Sequence, residues 1–189
     1  MYYLFSASRA LDMVAYEEFL RSVLPDDFYF TSYNTRQGYI ETDTSISDTL
    51  YTSIPIMNED LGCSITILST PTLSSLTSYL LNDLQGLKPS GYLSLADACL
   101  LALLQRRDEV MRKGIFDHFK GVDPKLMEDI ITFVRCGCNV INTSRILYLH
   151  RNTMNYRIRK FQDLMGMDLR NEEDVQFIRL YALLKENGM

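Results

Sequence analysis

The stretch Asn142-Thr-Ser-Arg-Ile-Leu-Tyr-Leu-His150-Arg-Asn-Thr-Met-Asn-Tyr156-Arg157-Ile-Arg-Lys-Phe161 reads as two short helices joined by a tight turn. Asn142 or Thr143 is expected to cap a first helix running through Leu149, because a short side-chain oxygen satisfies amides that lack a partner in a first helical turn. His150 marks the turn, and a second helix is predicted over Arg151–Met165. Met154, Ile158 and Phe161 recur at helical spacing and form its inward stripe. Ser144 is small where the two helices cross, and Leu147 and Leu149 are expected to bury against the pair.

Charge singles out the same stretch. The chain of 189 residues has a formal charge of −5, yet residues 139–162 hold Arg145, Arg151, Arg157, Arg159 and Lys160 and no acid. Residues 1–123 carry 9 Lys+Arg against 16 Asp+Glu, whereas residues 124–189 carry 10 against 8. A pair of short helices whose second member bears cations and amides suits the major groove of DNA. Arginine grips guanine edges or phosphates, and asparagine pairs with adenine in two-point fashion. The hydroxyls of Thr153 and Tyr156 suit phosphate oxygens. The expected DNA contacts are Arg145, Arg151, Asn152, Thr153, Asn155, Tyr156, Arg157, Arg159 and Lys160, with Arg157 at the margin of the face. By charge and periodicity alone, a solvated basic face on an ordinary helical hairpin fits equally well.

The quoted residues closely resemble the C-terminal helix-turn-helix of PucR/CdaR-type bacterial transcription regulators. That pattern is a small-residue helix ending in leucine, then His-Arg-Asn-Thr-Leu-x-Tyr-Arg-Leu. Here Met154 and Ile158 replace leucines, and Ser144 stands where alanine is usual. Leu164-Met165-Gly166-Met167-Asp168-Leu169 is similar to the family's Leu-x-Gly-x-Asp-Leu, and Leu180-Tyr181-Ala182-Leu183 to its closing helix. The resemblance covers residues 126–186, one third of the chain. It implies a sequence-specific regulator of transcription that binds double-stranded DNA. One helix-turn-helix covers one half-site, so a homodimer with two copies roughly 34 Å apart is expected. Family members carry longer sensory regions and a central cyclase-like domain. Only about 120 residues precede the match here, so no purine or sugar-diacid ligand is carried over, and the small-molecule effector, if the chain takes one, has no assigned chemistry.

Outward from this stretch, the fold class is α+β: a small N-terminal antiparallel sheet with helices, in an order that suits GAF or PAS sensors, a linker helix, and an all-α C-terminal helix-turn-helix domain. A helix is predicted over residues 7–24, with Leu11, Val14, Ala15 and Phe19 at helical spacing. Strands are predicted over residues 28–33 and 37–42. Alternation of Leu50, Thr52, Ile54 and Ile56, and of Cys63, Ile65 and Ile67, predicts a hairpin of strands over residues 49–56 and 63–69, with Pro55 near a free edge. A helix follows over residues 73–84. After the break at Lys88-Pro89-Ser90-Gly91, Ser94 and Asp97 resemble a capping pair. They open a long helix to about Phe119, apolar nearly all round over Leu95–Leu104, with Gly114 a point of interruption or bending. Asp123-Pro124 starts another helix, with Met127, Ile130, Ile131 and Val134 on one face and Gly137 at its end. A last helix is predicted over Glu172–Glu186. The domains expected are a sensor over residues 1–88, a linker and dimerisation helix over 89–122, and the helix-turn-helix domain over 123–189.

Composition excludes several classes. With 47% hydrophobic and 23% charged residues, the chain is globular rather than disordered or fibrous. No apolar run reaches the roughly 18 residues of a membrane span, and Met1-Tyr2-Tyr3-Leu4-Phe5 lacks the basic start of a secretory signal. A cytoplasmic protein with no membrane partner is expected. Cys63, Cys99, Cys136 and Cys138 are expected as free thiols, and with two histidines no metal site, cofactor or catalytic group is expected. Two other classes compete with a regulator: an interaction module whose helical hairpin does not bind DNA, and an enzyme with a DNA-targeting tail. The second would draw on Asp26, Asp27, Glu41, Asp43, Asp48, Glu59 and Asp60, acids placed mostly in turns.

Overall fold

A computed structural model describes residues 1–105 and 108–187, arranged as two units, Met1–Ala102 and Leu103–Met189. The first unit is built on a five-stranded sheet. Strand β1 (Tyr2–Ala7) lies at its centre, followed in sequence by helix α1 (Met13–Val23), strands β2 (Tyr29–Ser32) and β3 (Gln37–Glu41), and helix α2 (Ser47–Asp60). Then come strand β4 (Ile65–Thr70), helices α3 (Ser75–Asn82) and α4 (Leu84–Leu87), strand β5 (Gly91–Ser94) and helix α5 (Leu95–Leu104). The strand order is β2-β3-β1-β4-β5, antiparallel throughout except that β5 runs parallel to β4. In β1, Tyr3 and Phe5 face a core shared with Tyr16, Leu20, Leu50, Ile54, Met57, Ile65 and Ile67. Leu4, paired with Leu68, points to the opposite face, where α3 and α4 contact β1 and α4 contacts β4. With helices on both faces, every residue of β4 is buried.

Several expectations are corrected here. Residues 49–56 are helical, not a strand. The buried positions of α2 are Leu50, Ser53, Ile54 and Met57, a spacing of 3, 4 and 7, while Ile56 is exposed. The alternation of Leu50, Thr52, Ile54 and Ile56 was an equally good match to a short strand, and Met57 decides it. The antiparallel partner of β4 is β1, which was not anticipated; the predicted helix over residues 7–24 begins only at Met13, capped by the Asp12 carboxylate accepting from Val14 N–H at 3.0 Å. Strands β2 and β3 lie within the two segments expected as strands, and they pair antiparallel. The sheet is mixed because β5, which falls in the segment expected as linker, adds to it in parallel.

Ser94 and Asp97 do cap the next helix: Ser94 Oγ donates to Asp97 Oδ2 at 2.8 Å and accepts from Asp97 N–H at 3.1 Å. The expected long helix is two helices, α5 and α6 (Asp108–His118); Arg106 and Arg107 lie outside the described residues. One side of α5, with Leu95, Cys99 and Ala102, is buried, whereas Leu100 and Leu104 are exposed.

The second unit contains α6, α7 (Pro124–Arg135), α8 (Val140–Ile146), α9 (Arg151–Met165) and α10 (Glu172–Glu186). Its core is aromatic. Phe119 stacks on Phe177 and Phe161 at 5.4 and 6.4 Å between ring centres, and His118 meets Phe119 and Phe177 edge-on at 5.2 Å each. No helix among the described residues is long and apolar enough to cross a membrane.

Candidate nucleic-acid interface

Three capped helices set the geometry. Asp123 accepts from Leu126 N–H at 2.9 Å and, with Pro124 at the first position, starts α7. That helix ends where Gly137 takes φ +65°: Cys138 N–H reaches Phe133 C=O at 3.0 Å and Gly137 N–H reaches Val134 C=O at 3.1 Å. Asn139 then caps α8, its Oδ1 accepting from Asn142 N–H at 3.0 Å. The cap is thus three or four residues earlier than the expected Asn142 or Thr143, and Asn142 is the residue being capped.

Helix α8 stops at Ile146 through the same closing motif, this time without glycine. Leu149 N–H bonds Ser144 C=O at 2.8 Å, Tyr148 N–H bonds Arg145 C=O at 3.3 Å, and Tyr148 holds φ +53°. A non-glycine residue in this region carries roughly 1–2 kcal/mol of strain. The ring of Tyr148 is 96% exposed, so no packing fixes it there; the two flanking helices do. His150 caps α9, its Nδ1 accepting from Asn152 N–H at 3.2 Å. Gly166, at φ +67°, ends α9.

This turn-and-cap arrangement orients α9. Met154 and Phe161 are buried and Ile158 is half-buried, while Thr143 and Ser144 of α8 are buried. The small Ser144 is the residue that permits close approach. Leu147 and Leu149 are half-buried rather than fully covered.

Of the nine residues expected to contact DNA, Arg145, Arg151, Asn152, Thr153, Asn155, Tyr156, Arg159 and Lys160 are exposed. Seven of these eight lie on α9, and Arg145 lies on α8. Asn152, Tyr156 and Arg159 share one stripe of α9, and Asp163 continues it. That carboxylate sets the C-terminal limit of the cationic face.

Arg157 is different. Its guanidinium is ion-paired with Asp129 of α7, whose side chain is 1% exposed and also lies 3.5 Å from Lys125 Nζ. Arg157 is itself only 26% exposed, so it bolts α9 to α7. Asp129 was not singled out from the sequence. The available signal was its place within the apolar face of α7, between Met127 and Ile130.

Residues 126–185 match the family described as the PucR C-terminal helix-turn-helix domain. This segment is a PucR-type helix-turn-helix domain. The match spans α7 through α10 except at its edges, so it takes in the α8–α9 pair and its flanking helices. The chain is similar to a "Purine catabolism regulatory protein" of Bacillus subtilis (strain 168), 33% identical over 58 residues, 31% of this chain and 11% of that protein. It is also similar to a "Leucine-rich protein" of Streptococcus dysgalactiae subsp. equisimilis, 23% identical over 180 residues, 87% of this chain and 61% of that protein. Among solved structures, a regulator of polyketide synthase expression from Bifidobacterium adolescentis aligns over 100% of this chain and 80% of its own, at 16% identity and TM-score 0.49. The chain therefore spans less than two thirds of the length of either curated relative.

In the first unit, Asp26, Asp27, Glu41 and Asp43 line an open pocket of about 410 Å³, while Asp48, Glu59 and Asp60 lie on α2. Among the described residues no group of three or more His, Cys, Asp or Glu could hold a metal ion, and all four cysteines are free thiols.

Proposed function

We propose that the chain is a sequence-specific DNA-binding regulator of transcription, acting in the cytoplasm as a homodimer. In this reading α9 enters the major groove of a half-site. Residues 1–88 serve as a sensor or interaction domain, and residues 89–122 link and dimerise. The observation that carries it is the exposed, acid-free cation and amide face of α9 within a PucR-type domain. Arg151 and Asn155 are one helical turn apart near the N-terminal end of α9 and are assigned to base edges, while Thr153, Tyr156 and Lys160 are assigned to phosphates.

Selection of bound fragments from genomic DNA, followed by gel shift, tests the reading. Arg151→Ala and Asn155→Ala are each expected to weaken the selected site by about 1–3 kcal/mol and to relax preference at one position. Both variants retaining full affinity and preference, with folding intact, would overturn the assignment. No retention of any duplex by the wild-type chain would favour an interaction module instead.

The dimer rests on α5. Leu100 is exposed and Leu104 is 72% exposed, and each large apolar side chain left in water forfeits about 1.5–3 kcal/mol. A twofold partner covering this side would present two recognition helices to one duplex. Light scattering is expected to show monomers for Leu100→Asp and Leu104→Asp. Both remaining dimeric would place the interface elsewhere.

A further inference from the structure

A groove of about 770 Å³ runs beside α9, with Asn155 and Arg159 in its wall. These two residues also belong to the face assigned to DNA, so the groove opens onto that face. Its far side carries two arginines outside the acid-free window: Arg170, in the connection to α10, and Arg179, on α10 itself. Arg170 is 89% exposed and braced in two-point fashion by Asp168, Nε to Oδ1 at 3.1 Å and Nη2 to Oδ2 at 3.0 Å. Arg159 and Arg179 are exposed and pair with no acid among the described residues. Arg179 bears on Cys138 within the groove lining: burial pushes that thiol up and the guanidinium pulls it back down. Against three guanidinium groups stand two carboxylates, Glu172 in the lining and Asp168 paired with Arg170, which leaves Arg159 and Arg179 as the cations without an acid partner among the described residues.

We infer that this groove holds a backbone phosphate of the duplex, gripped by Arg159, Arg170 and Arg179, so that the DNA footprint extends past the two-helix reader onto α10. The inference rests on the DNA-binding reading above. The occupant follows from chemistry and place. A guanidinium fork matches phosphate oxygens in two-point geometry. A helix lying in a major groove is flanked by backbone phosphates, and a cationic groove continuous with its reading face lies alongside them. Phosphate contacts position a protein without reading sequence, which suits Arg170 and Arg179, set apart from α9.

The test is the salt dependence of affinity, measured with the full chain on the selected duplex and on a scrambled one. Each phosphate contact contributes about 0.9 to the slope of log K against log salt. Arg179→Ala and Arg170→Ala are each expected to weaken both duplexes by the same factor, on the order of fivefold at physiological salt, and to lower the slope by a part of that contribution, the two changes combined by about one. Arg179→Lys is expected to retain the slope. Glu172→Gln, which removes the opposing charge, is expected to strengthen both duplexes, an effect that damaged folding cannot mimic. Unchanged slopes in both alanine variants, with a salt-dependent wild type, would overturn the groove while leaving the DNA-binding reading in place. A change of sequence preference in the Arg179 variant would overturn the phosphate assignment. Absence of salt-dependent binding by the wild type would overturn both.

Discussion

Asp129→Ala is expected to lower the stability of the second unit by about 3–5 kcal/mol, the usual result of removing one partner of a buried ion pair. The carboxylate is fully buried on α7, and its loss leaves the Arg157 guanidinium largely out of water with no counter-charge. Lys125 cannot compensate, because it is a cation and addresses the same carboxylate. The pair itself is a poor source of net stability, since both groups are desolvated to make it. Its value lies in register: it sets how α9 is rotated against α7, and so which residues of α9 face outward. Urea unfolding of Asp129→Ala, Arg157→Met and the double variant checks this. The double variant is expected to be more stable than Asp129→Ala alone, giving a coupling energy of the size seen for contacting residues. Purely additive effects would show that the two side chains do not depend on each other. On the proposed DNA-binding reading, Arg157→Met is also expected to reduce DNA affinity without relaxing sequence preference, because its guanidinium is held by Asp129 on α7.

The second large effect is on pH dependence. Burial among Phe119 and Phe177 lowers the pKa of His118 to about 4, and neither ring nitrogen has a hydrogen-bond partner among the described residues. Burial likewise raises Asp174, at the start of α10, to about 6, although its Oδ2 accepts from Asp168 N–H at 2.8 Å. The two groups act in opposite directions. As pH falls from about 6.5 to 4, the unfolded chain protonates His118 while the folded chain does not, so stability is lost, by about 3 kcal/mol for a shift of this size. As pH rises from about 4 to 6, the unfolded chain ionises Asp174 while the folded chain holds its proton, so stability is again lost by a similar amount. Together they nearly cancel over pH 4–6.

Single substitutions expose each half. His118→Leu is expected to gain about 1–3 kcal/mol at pH 7 by removing two unpartnered buried nitrogens. It should also become more stable as pH falls from 6 to 4. Asp174→Asn, which keeps an oxygen for Asp168 N–H, should instead lose stability over that range. Thermal unfolding between pH 4 and 7 measures both; parallel curves for the wild type and the two variants would contradict the assignment.

Local rules of capping and periodicity place several parts of this protein. Helices α9 and α10 begin and end where cap residues and apolar spacing place them, and Asp123-Pro124 starts α7. The outward face of α9 follows from the period of Met154, Ile158 and Phe161, because a helix long enough to show its period fixes which residues are opposite its buried stripe. The tertiary structure alone decided matters that depend on distant partners. Residues 49–56 carry too few turns for their pattern to separate strand from helix, and packing on the sheet settled it. Strands β1 and β5 are defined by pairing with β4, at separations of roughly 60 and 25 residues, which local propensity does not report. Tyr148 holds a left-handed turn that residue preference assigns to glycine, because the helices on either side over-determine it. Arg157 is chemically identical to Arg151 and Arg159 in the sequence. Only the position of Asp129, 28 residues away on another helix, gives it a buried carboxylate partner while the other two stay exposed.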